Sequence, residues 1–175
     1  LDQLDYGGQP AGYVIDPQEV VNYVENHDNW TLFDNNAFKL PVGTTREDRA
    51  RAQILGAAIN SFSQGVAYWH AGIDTLRSKS LDRNSYDSGD WFNRIDWTAQ
   101  VNHFGTGLPP AADNQALWPL AAPRLADARG RPAPADIAFA RDGFLDLLRI
   151  RASSSLFRLT AVATVDSTIA ARQFA

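Results

Sequence analysis

Two short runs of β-branched and aromatic residues, Val20-Val21-Asn22-Tyr23-Val24-Glu25 and Val66-Ala67-Tyr68-Trp69, flank a segment with a helical period. That order restricts the folds open to this chain more than any other feature. Short runs of this kind read as strands buried on both faces. Between them, Thr44 followed three residues later by Glu47 has the form of a capping box. Behind it, Ile54, Leu55, Ala58, Ile59 and Phe62 recur on one face of a helix predicted over Arg46–Phe62. Gly65 stops that helix. Strand, helix, strand is a βαβ unit, which implies parallel pairing with a right-handed crossover. A second amphipathic helix is predicted over Asp136–Arg151, with Ile137, Ala140, Phe144, Leu147 and Leu148 inward. One βαβ unit and one more helix cannot cover both faces of a parallel sheet, so the segment needs partners it does not contain.

The rest of the chain is predicted irregular. Residues 1–19 carry Gly7, Gly8, Pro10, Gly12 and Pro17, the residues of turns. A polar segment runs from Asp74 to about Asn102, and a Pro-rich loop from Gly105 to Pro134; a long insert of that sort is functional or mobile. From Leu156 the tail has mixed β character. The chain lacks methionine, opens on Leu-Asp-Gln-Leu and stops on Arg-Gln-Phe-Ala, and is expected to be a segment of a longer protein.

Composition removes several functions. With no cysteine, neither disulfides nor thiolate zinc sites are possible. A formal net charge of −4 disfavours nucleic acid and anionic membranes, whose phosphates call for a basic face, and suits a neutral ligand such as a sugar. The most apolar stretch, Ile54 to Ile73, is broken by Asn60, Ser61, Ser63, Gln64 and Gly65, so no run of about 18 apolar residues is present.

Two stretches carry candidate chemistry. Asn26-His27-Asp28-Asn29 follows the first predicted strand. A carboxylate beside an imidazole on a rigid strand end can hold vicinal sugar hydroxyls, the carboxylate accepting and the ring donating. The same pair could equally satisfy loop backbone groups. The second stretch is Leu76-Arg77-Ser78-Lys79-Ser80 with Arg83-Asn84-Ser85-Tyr86-Asp87-Ser88-Gly89-Asp90-Trp91-Phe92-Asn93. Rings interleaved with amides and carboxylates suit a sugar, whose apolar faces stack on rings while its hydroxyls bond polar groups. A well-anchored surface loop would have the same composition. His70 and Asp74 suggest a metal, but no third ligand accompanies them.

The stretch Tyr23 to Asn29 resembles the fourth signature region of the alpha-amylase superfamily, retaining glycosidases built on (β/α)8 barrels. The loop from Ser78-Lys79-Ser80 through Tyr86 to Asn93 is narrower and resembles pullulanases, the α-1,6-glucosidases that debranch starch. Leu4-Asp5-Tyr6 to Gly12-Tyr13, Gly107-Leu108-Pro109-Pro110 to Trp118-Pro119, and Leu148 to Leu159 resemble the same group. The resemblance implies an α/β fold: the last two strands and helices of a (β/α)8 TIM barrel over residues 1–155, running into the start of a C-terminal β-domain over 156–175. Val20–His27 would be the seventh strand, Val66–Trp69 the eighth, and the helix after Pro134 the eighth helix. Asp28 would match the family's third carboxylate, which stabilises the transition state at the sugar being cleaved. His27 would bind that sugar, and Asn84 and Tyr86 would line the pocket, although some members carry Asp where this chain has Asn84.

Retaining hydrolysis also needs a nucleophile and a general acid about 5 Å apart. The family places them in a Gly-Phe-Arg-x-Asp type motif and on a strand ending in Glu. Neither motif occurs here, and Asp142-Gly143-Phe144 sits in a helical pattern. The resemblance therefore implies that this chain alone is inactive and needs the N-terminal part of its own barrel. It implies an α-glucan substrate, no cofactor in this segment, calcium in the full-length enzyme, and secretion to the exterior or periplasm. Two other readings stand beside it. A non-catalytic carbohydrate-binding module would show an all-β alternation, against which the helix at Arg46–Phe62 argues. An isoamylase or glycogen-debranching enzyme is separated by the Tyr86–Asn93 loop.

Overall fold

The computed structural model describes residues 4–12, 14–161 and 165. Its regular elements are mostly helical. A hairpin of β1 (Asp5–Tyr6) and β2 (Gln9–Pro10) precedes β3 (Val21–Asn22), α1 (Leu32–Lys39), α2 (Arg46–Phe62) and β4 (Val66–Ala67). Four helices follow: α3 (Asp90–Asn93), α4 (Ala111–Asn114), α5 (Trp118–Ala126) and α6 (Pro134–Ser153), with short 3-10 turns between them.

The expected partial (β/α)8 barrel is not what this chain forms. Strands β3 and β4 do pair in parallel, Val21 opposite Val66 and Asn22 opposite Ala67, but the ladder is two residues long. The first predicted strand leaves the ladder after Asn22. Glu25 turns inward to accept from Leu32 N–H, and Asn26 Oδ1 accepts from Asp28 N–H at 2.8 Å, closing a turn where a strand would continue. Nor is the pair covered on both faces: Val21, Tyr23, Val66 and Tyr68 are all exposed. A two-stranded remnant of this length is held by the helices around it.

Helix α2 has the bounds expected from its pattern, with its cap one residue later. Thr45 Oγ1, not Thr44, accepts from the backbone N–H of Asp48 at 3.1 Å. The predicted inward face is only partly inward, because Leu55 and Ile59 are exposed while Ala50, Gln53, Ala57, Asn60 and Ser61 are buried. On α6 the predicted face is the packed one, with Ile137, Ala140 and Leu147 buried. The two helices approach closely at Gly143, where an added Cβ would stand 2.7 Å from Ile54 Cδ1. Arg151 at the end of α6 donates to the carbonyls of Ser61, Ser63 and Gly65 at 2.6, 2.9 and 2.8 Å. It thereby satisfies acceptors that the end of α2 leaves open.

The Pro-rich loop also differs from expectation. Trp118–Ala126 is a helix with Pro119 in its first turn, where a missing N–H is no loss. Pro123 lies inside it, but the helix is held from outside. Ala121 and Leu125 enter the main core beside Phe33, Leu81 and Ile137, and Arg124 Nε donates to Ala37 O at 3.1 Å. At the other end, Ser155–Arg158 is a 3-10 turn, and the expected β-domain over 156–175 lies largely outside the described residues. Among the described residues, no helix is long and apolar enough to cross a membrane.

Gly65, between α2 and β4, sets the register of the parallel pair. Its φ is +91°, and a Cβ there would meet the carbonyl oxygens of Pro17 and Val20 at 2.5 and 2.6 Å. Backbone on both sides cannot retreat as a side chain could. Gly65→Ala is expected to cost about 1–3 kcal/mol from its backbone conformation alone, read as a lower urea midpoint. An unchanged midpoint would show that the turn relaxes freely.

Candidate functional site

The parallel order of β3 and β4 sends the chain out of both strands on the same side. The segment after β3 carries His27 and Asp28, and the segment after β4 carries Asn84 and Tyr86. The His27 and Asp28 side chains are 79% and 67% exposed, and His27 Nδ1 lies 3.3 Å from Asp28 Oδ1. Asn29, directly after them, is left-handed at φ 59°, which turns the chain back toward the N-cap of α1 at Thr31. The imidazole and the carboxylate thus stand together in solvent at the tip of a tight turn, able to donate to and accept from a polyhydroxy ligand.

The second segment divides in two. Every residue from Thr75 to Asp82 is buried, so the Arg77-Ser78-Lys79-Ser80 part of the expected sugar loop is a buried polar support. Exposure begins at Arg83 and Asn84. Asp82 Oδ1 accepts from Asn84 N–H at 2.9 Å and from Asn114 Nδ2 at 3.0 Å, and Asn84 Nδ2 donates to Asp113 Oδ2 at 3.0 Å. Tyr86 is 91% exposed beside buried Ser85, whose carbonyl accepts from Asn93 Nδ2 at 2.6 Å. Trp91 serves the loop itself: its indole N–H donates to Thr106 O at 3.1 Å, and the Arg94 guanidinium lies 4.0 Å from its ring centroid.

Two buried networks tie the segments together. In one, the buried Glu25 carboxylate lies 3.4 Å from His70 Nδ1, and His70 Nε2 meets Arg77 Nη1 at 3.2 Å. Arg77 goes on to donate to Asn93 O at 2.7 Å. In the other, Asp34 in the first turn of α1 accepts from Ser78 Oγ at 2.5 Å and Lys79 N–H at 2.7 Å. Burial pushes the Asp34 carboxyl up to about 6 against the opposing pull of those bonds and of the Lys79 charge. Lys79 Nζ donates to the His27 carbonyl at 3.2 Å, and Trp30 Nε1 to Leu81 O at 3.0 Å. Asp34 and Glu25 had no functional signal of their own in the sequence. What could have flagged Asp34 is the Thr31-x-x-Asp34 cap pattern, which predicts a helix start and nothing about burial.

His70, the sequence's metal candidate, is engaged by Glu25 and Arg77. Among the described residues no cluster of three or more His, Asp or Glu side chains suits a metal ion. A cavity of about 130 Å3 lies elsewhere, among Phe33, Ala37, Arg49, Phe104, Arg124 and Asp127, and none of His27, Asp28, Asn84 or Tyr86 lines it.

The chain as a whole is similar to known proteins. A chloroplastic pullulanase from Arabidopsis thaliana is 45% identical over 166 residues, spanning 95% of this chain and 17% of that protein. A pullulanase from Klebsiella aerogenes is 40% identical over 93% of this chain and 15% of its own length. Among solved structures, Klebsiella pneumoniae pullulanase complexed with maltotriose matches with a TM-score of 0.87 at 40% identity, over 94% of this chain and 16% of that one. The chain therefore spans about a sixth of the length of these relatives. Residues 99–173 match the family described as alpha-1,6-glucosidases, pullulanase-type, C-terminal, and the similarity to pullulanases runs along nearly the whole chain.

Proposed function

We propose that this chain is part of a debranching glycosidase that cleaves α-1,6-glucosidic linkages in pullulan, starch or glycogen-type glucans by a retaining mechanism. It contributes the grip on the sugar, while the nucleophile and the general acid belong to other parts of the same protein. The observation that carries the reading is the His27–Asp28 pair, exposed and joined at 3.3 Å on a turn in a chain similar to pullulanases nearly end to end. In this reading Asp28 accepts hydrogen bonds from hydroxyls of the sugar being cleaved, His27 bonds the same ring, and Asn84 and Tyr86 border it. As that ring flattens toward an oxocarbenium-like state its 2-hydroxyl becomes more acidic, so a bond to the Asp28 carboxylate strengthens on the way to the transition state.

The purified 175-residue chain is expected to release no reducing sugar from pullulan, because the covalent route requires both absent carboxyl groups. The longer enzyme carrying this chain is expected to hydrolyse pullulan. Sugar release by the isolated chain that disappears in Asp28→Ala would overturn the division of roles. Inactivity of the longer enzyme on every α-1,6-linked glucan would overturn the function.

A further inference from the structure

We propose that Lys79 is a positioning residue for the His27–Asp28 turn: its buried ammonium fixes the His27 carbonyl and with it the sugar-gripping pair. The inference rests on the role assigned above to Asp28.

Lys79 is 1% exposed, and a lysine is seldom so buried without a partner for its charge. Its ammonium donates to a backbone carbonyl, His27 O, at 3.2 Å. Burial is the largest influence on this ammonium and pushes it below its usual value, against the opposing pull of the Asp34, Asp82 and Glu25 charges, while the Arg77 charge adds to the lowering. Each of these acids also has a backbone or amide partner. Asp34 binds Lys79's own N–H, Asp82 binds Asn84 N–H and Asn114, and Glu25 binds Leu32 N–H. The ammonium therefore sits at a point fixed by both segments and reaches directly beneath the exposed pair.

The backbone that carries Lys79 is held at a cost. Leu76, Ser80 and Leu81 are all left-handed, at φ 58°, 53° and 65°, conformations that cost of order 1–3 kcal/mol each and persist only where the surroundings enforce them. The enforcing bonds run from Ser78 Oγ and Lys79 N–H to the Asp34 carboxylate, from Ser80 N–H to Ser78 Oγ at 2.8 Å, and from Ser80 Oγ to Gly107 O at 2.6 Å. A loop needed only to close a surface could take a relaxed conformation with its lysine in solvent. This one turns the lysine inward and aims it at His27.

The test is a double-mutant cycle on pullulan in the longer enzyme, with parent, Lys79→Met, Asp28→Asn and the double variant, each checked by thermal melt. Lys79→Met is expected to lower kcat by on the order of 10–100-fold with little change in KM, the range for a small misplacement of reacting groups. In the Asp28→Asn background the same substitution is expected to cost less than about threefold, since residues that act as a unit are not additive. Where the Met variant melts below the assay temperature, the cycle is run with Lys79→Arg. That variant keeps the charge but replaces the compact ammonium with a planar fork, and it is expected to melt near the parent and still lose kcat. A folded Lys79 variant with parental kcat, or losses that multiply in full with Asp28→Asn, would overturn the proposal. Parental kcat in Asp28→Asn itself would instead overturn the reading on which it rests.

Discussion

Asp28→Asn is expected to lower kcat on pullulan by an amount equivalent to about 2–4 kcal/mol, the range for deleting one electrostatic stabiliser of a transition state, while binding of unreacted substrate changes far less. The substitution keeps the shape of the side chain and removes its charge. An interaction that strengthens only as the ring flattens raises kcat, whereas one made equally with the unreacted sugar lowers KM. Asp28 is free to serve in this way because its structural duties are slight. It is mostly exposed, its partner is the neighbouring His27 ring, and the turn is closed by Asn26 through Asp28's backbone N–H. A purely structural Asp28 would give the opposite pattern, with a lower melting temperature and normal kcat in the molecules that remain folded. Steady-state kinetics beside a thermal melt separates the two.

Asp34→Ala is expected to destabilise the fold by about 2–6 kcal/mol, from about 1–3 kcal/mol for each of the two buried donors it leaves unpaired. The substitution orphans Ser78 Oγ and Lys79 N–H and releases the left-handed loop. The milder Asp34→Asn isolates the titration. Because the folded carboxyl is raised to about 6, this group's contribution is fully present below the unfolded value near 4 and is lost as pH rises through 6. A shift of about two units bounds that loss at roughly 3 kcal/mol. The parent's stability relative to Asp34→Asn should therefore fall as pH rises from 4 to 6. Asp96 and Asp127 do not compete in that window: hydrogen bonds hold both carboxyls below their usual value, so their contributions disappear only at lower pH. A relative stability that is flat or rising from pH 4 to 6 would contradict the account of Asp34.

The parts of the fold legible in the sequence were those governed by local chemistry. The bounds of Arg46–Phe62 and the buried stripe of α6 follow from the helical period, which acts within a few residues. What periodicity could not supply was the cover on each face. Leu55 and Ile59 lie on the apolar stripe of α2 and yet face solvent, while the side packed against α6 and the 73–75 turn is lined by Ala50, Gln53 and Ala57. Gln53 Nε2 donates to Ile73 O at 3.0 Å there. The strands failed for a related reason. Val20–Glu25 has the composition of a buried strand, but Glu25 and Asn26 satisfy backbone N–H groups locally and end the ladder at Asn22. Helix α5 was hidden by its prolines, which are damaging by propensity and tolerated because tertiary contacts hold the segment.

At the candidate site, the family resemblance pointed to residues that are exposed here and was silent on their support. His27, Asp28, Asn84 and Tyr86 were drawn from two stretches some 50 residues apart, and the parallel pair sends both stretches out on one side. Nothing in Arg77-Ser78-Lys79-Ser80 announces burial, since four polar residues in a row read as surface. Their inward turn depends on Asp34, which lies on another element more than 40 residues away.

The most direct test of the central claim is the structure of the longer enzyme with a maltooligosaccharide bound. The account predicts sugar hydroxyls within hydrogen-bond distance of the Asp28 carboxylate and the His27 ring, with Asn84 and Tyr86 beside the same sugar. A glucan bound in the catalytic site with His27 and Asp28 both left in solvent would contradict it.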